Sequence, residues 1–124
     1  MCGSLSIAIC EDVPAERELL LSLARDWARG AGARVFLEAF ASAEALVFHR
    51  AGGKEFDLLL LDIGMRGMSG MELARELRAQ GCGAQIVFIT GYADCMAEGY
   101  DVGALHYLLK PVSREKLFSV LDRT

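Results

Sequence analysis

Five short apolar runs, each separated from the next by a stretch with helical spacing, restrict this chain more than any other feature. The runs are LSIAIC (5–10), RVFLEAF (34–40), FDLLLL (56–61), QIVFI (85–89) and LHYLL (105–109). They are short, apolar and partly β-branched, as strands buried on both faces of a sheet are. Leu20, Leu23, Ala24 and Trp27 mark one face of a helix over 14–29, with Pro14 in its first turn. Ala45, Leu46 and Phe48 mark a helix over 42–51. Ser69 and Glu72 form a capping box that opens a helix burying Leu73, Ala74 and Leu77. Ser113 caps a last helix containing Leu117, Val120 and Leu121. The segment 93–102 gives a weaker helix, because Gly99 interrupts it and its apolar face is poorly defined. Strand alternating with helix predicts a parallel sheet with right-handed crossovers, in a three-layer α/β sandwich with helices on both faces.

A chain of 124 residues suits one domain, expected to occupy 1–124. The net charge is −4 and the 13 basic residues are scattered, which argues against nucleic acid as this domain's own ligand. No apolar segment approaches the roughly 20 residues of a membrane span, and no signal peptide is visible. A cytoplasmic location is expected. Cys2, Cys10, Cys82 and Cys95 lack Cys-x-x-Cys spacing and read as reduced thiols, with Cys10 packed in a strand. His49 reads as a surface residue and His106 as an edge-strand residue, neither with a catalytic partner. Arg75, Glu76 and Arg78 read as a solvated helix face, and Met65, Met68 and Met71 as space-filling around a loop.

Open α/β sheets bind ligands beyond the carboxyl ends of their strands. Glu11 and Asp12 follow the first run, Asp62 follows the third, Thr90 ends the fourth, and Lys110 ends the fifth just before Pro111. The second ends in Phe40-Ala41-Ser42, with nothing comparable. A carboxylate at the mouth of an apolar strand is costly unless something there uses it. Three gathered carboxylates repel one another, so the site calls for a cation or for raised pKa values. Its donors are all oxygens, which selects a hard ion such as Mg²⁺ over zinc. Lys110 and Thr90 then suit the oxygens of a phosphoryl group. A carboxylate can itself be the nucleophile, giving an acyl phosphate, so Asp62 is a candidate phosphoryl acceptor. Alone, Asp62 is as well read as the start of a turn; its companions at matching strand ends favour the chemical reading.

The set Glu11-Asp12, Leu61-Asp62, Gly67-Met68-Ser69-Gly70, Thr90-Gly91 and Tyr107-Leu-Leu-Lys110-Pro111 resembles the receiver domain of two-component response regulators. It runs through essentially the whole chain in that family's order and spacing. The stretch ITGYADCMAEGYDVGALHYLLKP is most similar to receivers that precede a LytTR-type DNA-binding domain. The resemblance implies a flavodoxin-like fold with strand order 2-1-3-4-5. It also implies a phosphorylation-controlled switch, and not an enzyme acting on an outside substrate. Asp62 would accept the phosphoryl group from a sensor histidine kinase. Glu11 and Asp12 would hold Mg²⁺, Asp12 directly and Glu11 through water, and Gly64 would offer its backbone carbonyl. Thr90 would hydrogen-bond the phosphoryl group, Lys110 would pair with it, and Tyr107 would follow the movement of Thr90. Gly91 would leave the acceptor open, and the Lys110–Pro111 bond would be cis. Phosphorylation would bias the surface made by the 93–102 helix, strand five and the last helix, toward a homodimer or an output domain outside this chain.

Two departures stand out. Arg66 replaces a frequent proline, which predicts a looser loop and a positive charge near the metal site. Ser69 replaces a frequent Asp and caps equally well. Other classes fit less well. A phosphohydrolase of the haloacid dehalogenase type needs a second acid two residues after its nucleophile, which Gly64 cannot supply, and there is no room for a cap domain. A flavin binder needs amides and hydroxyls after strand one, where this chain has the acidic EDVPAE. A receiver working as an unphosphorylated adaptor ranks second.

Overall fold

A computed structural model describes residues 4–53 and 55–124. In chain order the elements are β1 (Ser4–Cys10), α1 (Pro14–Ala31), β2 (Arg34–Phe40), α2 (Ala43–Ala51), β3 (Leu58–Leu61), α3 (Gly70–Ala79), β4 (Gln85–Thr90), a 3-10 turn (Ala93–Cys95), α4 (Met96–Asp101), β5 (His106–Leu109) and α5 (Arg114–Leu121). The sheet is parallel throughout, in the order β2-β1-β3-β4-β5. Fold class and strand order are as expected.

Alternate strand residues feed two cores. Ala8, Cys10, Leu59, Leu61, Ile86 and Phe88 pack with residues of α2 and α3 on one face. Ile7, Ile9, Leu58, Leu60, Val87 and Ile89 pack with α1 and α5 on the other. Burial on both faces is why these strands show no polar alternation. The Trp27 indole donates to Asp122 Oδ1 at 2.8 Å, tying α1 to the end of α5. Pro14 stands in the first turn of α1. Ser69 and Glu72 close their capping box, and Ser113 accepts from the Lys116 amide.

Several local expectations need correction. The third strand begins at Leu58, not Phe56, because the Asp57 carboxylate turns back to accept the Ser6 amide at 2.8 Å. The 93–102 helix is a 3-10 turn followed by α4, without a side-chain N-cap. Strand five ends at Leu109, although the Lys110 amide still donates to the Thr90 carbonyl at 2.9 Å. His49 is no free surface residue: its ring stacks on Phe56 and meets the edge of Phe40. Arg78 leaves the solvated face to donate to the carbonyls of Val102, Cys82 and Ala84 at 2.7–2.8 Å, clamping two loops at the amino-terminal side of β4 and β5. Among the thiols Cys10 and Cys82 are buried and Cys95 half-buried; Cys2 lies outside the described residues.

The start of α3 sits against the backbone of the Asp62 turn. The Gly70 amide donates to the Ile63 carbonyl at 3.0 Å. A Cβ on Gly70 would fall 2.1 Å from the Asp62 carbonyl oxygen, a backbone atom that cannot swing aside. Gly70→Ala should therefore destabilise the fold by about 1–3 kcal/mol in denaturant unfolding, the usual cost of overpacking. Gly30, with nothing within 4 Å of its would-be Cβ near the end of α1, should gain up to about 0.5 kcal/mol from the same change.

Candidate functional site

The carboxyl ends of β1, β3 and β5 bring four of the sequence-predicted side chains together. Glu11 is fully buried; its amide donates to the Phe40 carbonyl at 3.0 Å, and its Oε2 accepts from the Val13 amide at 3.1 Å. Asp62, 7% exposed, is held by its own amide to the Cys10 carbonyl at 3.1 Å. The Lys110 ammonium donates to Glu11 Oε1 at 2.7 Å and to Asp62 Oδ2 at 3.1 Å. The Gly64 amide reaches Asp62 Oδ1 at 3.3 Å. The Lys110–Pro111 peptide bond is cis.

Glu11, Asp12 and Asp62 each offer an oxygen within 4.8 Å of the others. Asp12 Oδ2 accepts from the Arg66 amide at 3.1 Å, while its buried Oδ1 has no hydrogen-bond partner among the described residues. A buried carboxylate oxygen without a donor is costly. An all-oxygen set around that orphaned atom fits a hard divalent cation. The Arg66 departure acquires a structural meaning here, since a proline at 66 would have no amide to give Asp12. The Arg66 side chain itself is exposed.

Thr90 is fully buried at the end of β4, and its Oγ1 accepts from the Tyr92 amide at 3.3 Å. Its side chain makes no hydrogen bond to Asp62 or Lys110 among the described residues. Tyr107 packs against Phe88, centroids 5.9 Å apart, and donates its hydroxyl to the Tyr92 carbonyl. Gly91 has open space around its would-be Cβ.

A family model for the response regulator receiver domain matches residues 7–122. The chain belongs to that family. Receiver domains are the phosphorylation-dependent signalling switches of two-component response regulators, and this chain is one of them. It is 30% identical over 123 residues to the transcriptional regulatory protein ZraR of Salmonella typhimurium, covering 98% of this chain and 26% of ZraR. It is 36% identical over 88 residues to MalR of Bacillus subtilis, covering 69% of this chain and 37% of that regulator. The chain spans about a third of the length of the first curated relatives it matches. Among solved structures, Vibrio cholerae chemotaxis protein CheY4 superposes with a TM-score of 0.79 at 26% identity, over 98% of each chain. Thermotoga maritima TrrA, solved in complex with Mg²⁺-BeF, shares the fold with a TM-score of 0.80 at 24% identity, over 96% of this chain and 97% of that one.

The receiver's site contains residues that sequence reasoning did not single out. Glu16, on the first turn of α1, is a third carboxylate on the Lys110 ammonium. Nothing in the sequence set it apart, since an acidic residue in a first helical turn usually serves the helix dipole. Tyr92 is a hub: its amide bonds Thr90, its carbonyl accepts from Tyr107, and its ring lies over Gly64. A Cβ on Gly64 would fall 2.4 Å from the Tyr92 ring. Glu44, on α2, accepts from the Met68 amide at 2.9 Å and so tethers the loop after Asp62.

Charge at the site is unbalanced. Burial pulls the Lys110 ammonium toward deprotonation, but its bonds to Glu11, Glu16 and Asp62 outweigh that and hold it above the usual lysine range. Burial raises Glu11, against the opposing effect of Lys110. Cys10, which bonds the Ser42 carbonyl at 3.2 Å, is pushed up to about 12 by burial and then by Glu11, so it stays an inert thiol.

The Met68 amide holds the Glu44 carboxyl below the usual glutamate range. A lowered folded pKa means the tether is fully present above the unfolded value and lost as pH falls through the folded one. In an NMR titration the Met68 amide should report a step whose midpoint lies below the ordinary glutamate pKa. Glu44→Gln should abolish that step.

Proposed function

We propose that Asp62 is the phosphoryl acceptor of this receiver, with Glu11, Asp12, Asp62 and the Gly64 carbonyl holding Mg²⁺. The observation that carries this reading is the position of the Asp62 carboxylate, between the Lys110 ammonium and the acid pair that includes the orphaned Asp12 Oδ1. A sensor histidine kinase presents its phosphohistidine; the N–P bond breaks as an Asp62 oxygen forms the new O–P bond. The metal, when bound, neutralises charge on the phosphoryl oxygens. Lys110 exchanges part of its contact with Glu11 and Glu16 for a phosphoryl oxygen, and Thr90 donates its hydroxyl to another. The groups serve only this domain's own phosphorylation and dephosphorylation.

Movement of Thr90 carries the Tyr92 backbone with it, and Tyr107 follows through the carbonyl it donates to. That chain of bonds supports Thr90 and Tyr107 as the switch pair. The readout is the surface of α4, β5 and α5, where Tyr100 and Met96 stand exposed. It serves a homodimer or the protein's own output domain, with residues 1–124 as the receiver unit. A LytTR-type DNA-binding output is the form suggested by the 89–111 stretch. The setting is the cytoplasm, in keeping with a kinase donor; no described helix is long and apolar enough to cross a membrane.

Acetyl phosphate with Mg²⁺ tests the acceptor. Intact-mass spectrometry should show one added phosphoryl group on wild type, none on Asp62→Ala, and none after chelation of the metal. Labelling of Asp62→Ala at the wild-type level would move the acceptor elsewhere. An unlabelled wild type would favour an adaptor. Tyr107→Phe should keep full labelling while losing the phosphorylation-induced shifts of α4 amides in NMR spectra.

A further inference from the structure

The far edge of the sheet carries a feature that phosphotransfer does not use. β2 is an edge strand, paired with β1 over seven consecutive residues without a bulge. The Phe40 carbonyl accepts from the Glu11 amide. In a parallel ladder that residue turns both of its peptide groups inward, and alternate residues along the strand do the same. Arg34, Phe36 and Glu38 therefore bond toward β1, and Val35, Leu37 and Ala39 offer their N–H and C=O groups to the open edge. Proteins commonly guard such edges with charged side chains (Lys above all), Pro, a bulge or a very short strand. RVFLEAF has no Lys, Pro or bulge, and its two charged residues are of opposite sign, which repels a like edge less than a single-sign strand does.

Its two charged residues complement a second copy of itself. With a two-fold axis perpendicular to the sheet at Phe36, Val35 lies opposite Leu37 of the second copy, and Leu37 opposite its Val35. These are residues with free peptide groups, so they form the hydrogen-bonded pairs of an antiparallel ladder. Arg34 then faces Glu38 in both directions, and Phe36 faces its own counterpart. All three occupy the pairs where side chains approach most closely. An axis one residue later sets Arg34 against Phe40 and Glu38 against Phe36. An axis one residue earlier sets Arg34 against Phe36. Only the Phe36 axis matches charge with charge. Phe36 is 62% exposed and stands ready to be covered. Glu38 is reachable, since its side chain is 47% exposed and its one ion pair among the described residues, with His49, is long at 3.7 Å.

We infer that the β2 edge is a homotypic interface, joining two copies of this chain antiparallel through residues 34–38 into one continuous sheet. It lies at the opposite end of the sheet from β5, so it operates without phosphorylation and leaves the α4–β5–α5 surface free.

Sedimentation velocity from roughly micromolar to millimolar protein covers the range of weak self-association. With no phosphodonor present, the wild-type chain should pass from monomer to dimer. R34E and E38R should each raise the dissociation constant roughly tenfold, by setting like charges opposite one another twice per dimer. The double variant R34E/E38R should restore it. Because a reversal near His49 can disturb folding, a second measurement stands apart from the charges. Phe36→Cys places two thiols across the axis at about the 4.5 Å Cα spacing of a non-hydrogen-bonded pair, within disulfide reach. Mild oxidation should give a covalent dimer whose linked peptides both contain position 36. A chain monomeric throughout, a double reversal that fails to restore association, or no linkage at position 36 overturns the interface.

Discussion

One ammonium among four carboxylates organises the functional end of this molecule. Lys110 contacts Glu11, Glu16 and Asp62, and Asp12 completes the acidic set beside them. Gathered at one end of the sheet, those acids repel one another. A single lysine tolerates that imbalance only with help. Val13, Gly64 and Arg66 each give a backbone amide to an acid, spreading the charge into fixed dipoles. The remaining deficit is centred on Asp12 Oδ1, the atom on which the proposed cation site rests.

The scaffold holds this unfavourable cluster because both faces of the sheet are packed with apolar side chains. Asp62 is not free to retreat: its amide is bonded to β1, and its carbonyl lies beneath Gly70 at the start of α3. A rigid Asp62 beside a looser neighbour is a useful combination. α4 has six residues, follows a 3-10 turn, and lacks a side-chain cap. It is joined to the site through Tyr92, so the least secured helix is the one linked to Thr90 and Tyr107.

Much of this was legible in the residues. The apolar runs located the strands, and the Ser69–Glu72 and Ser113 caps located two helix starts, because both signals act within a few residues. Glu11, Asp12, Asp62 and Lys110 were legible as strand-end residues of a parallel sheet. Arg78, His49, Glu16, Glu44 and Tyr92 were not. Arg78 and Glu44 reach backbone groups more than twenty residues away. Tyr92 acts largely through its peptide group, which any residue but proline possesses.

By itself, then, the order of residues determined the elements, their parallel arrangement, the list of polar groups at the strand ends and their likeness to a receiver. Local hydrogen bonding and hydrophobic periodicity are short-ranged, so a linear reading captures them. The tertiary structure decided which carboxylates share the Lys110 ammonium, which oxygen is left without a donor, and that the Thr90–Tyr107 connection runs through Tyr92. Those outcomes depend on distances between segments up to 99 residues apart in the chain, and such distances exist only once the two cores have closed around the sheet.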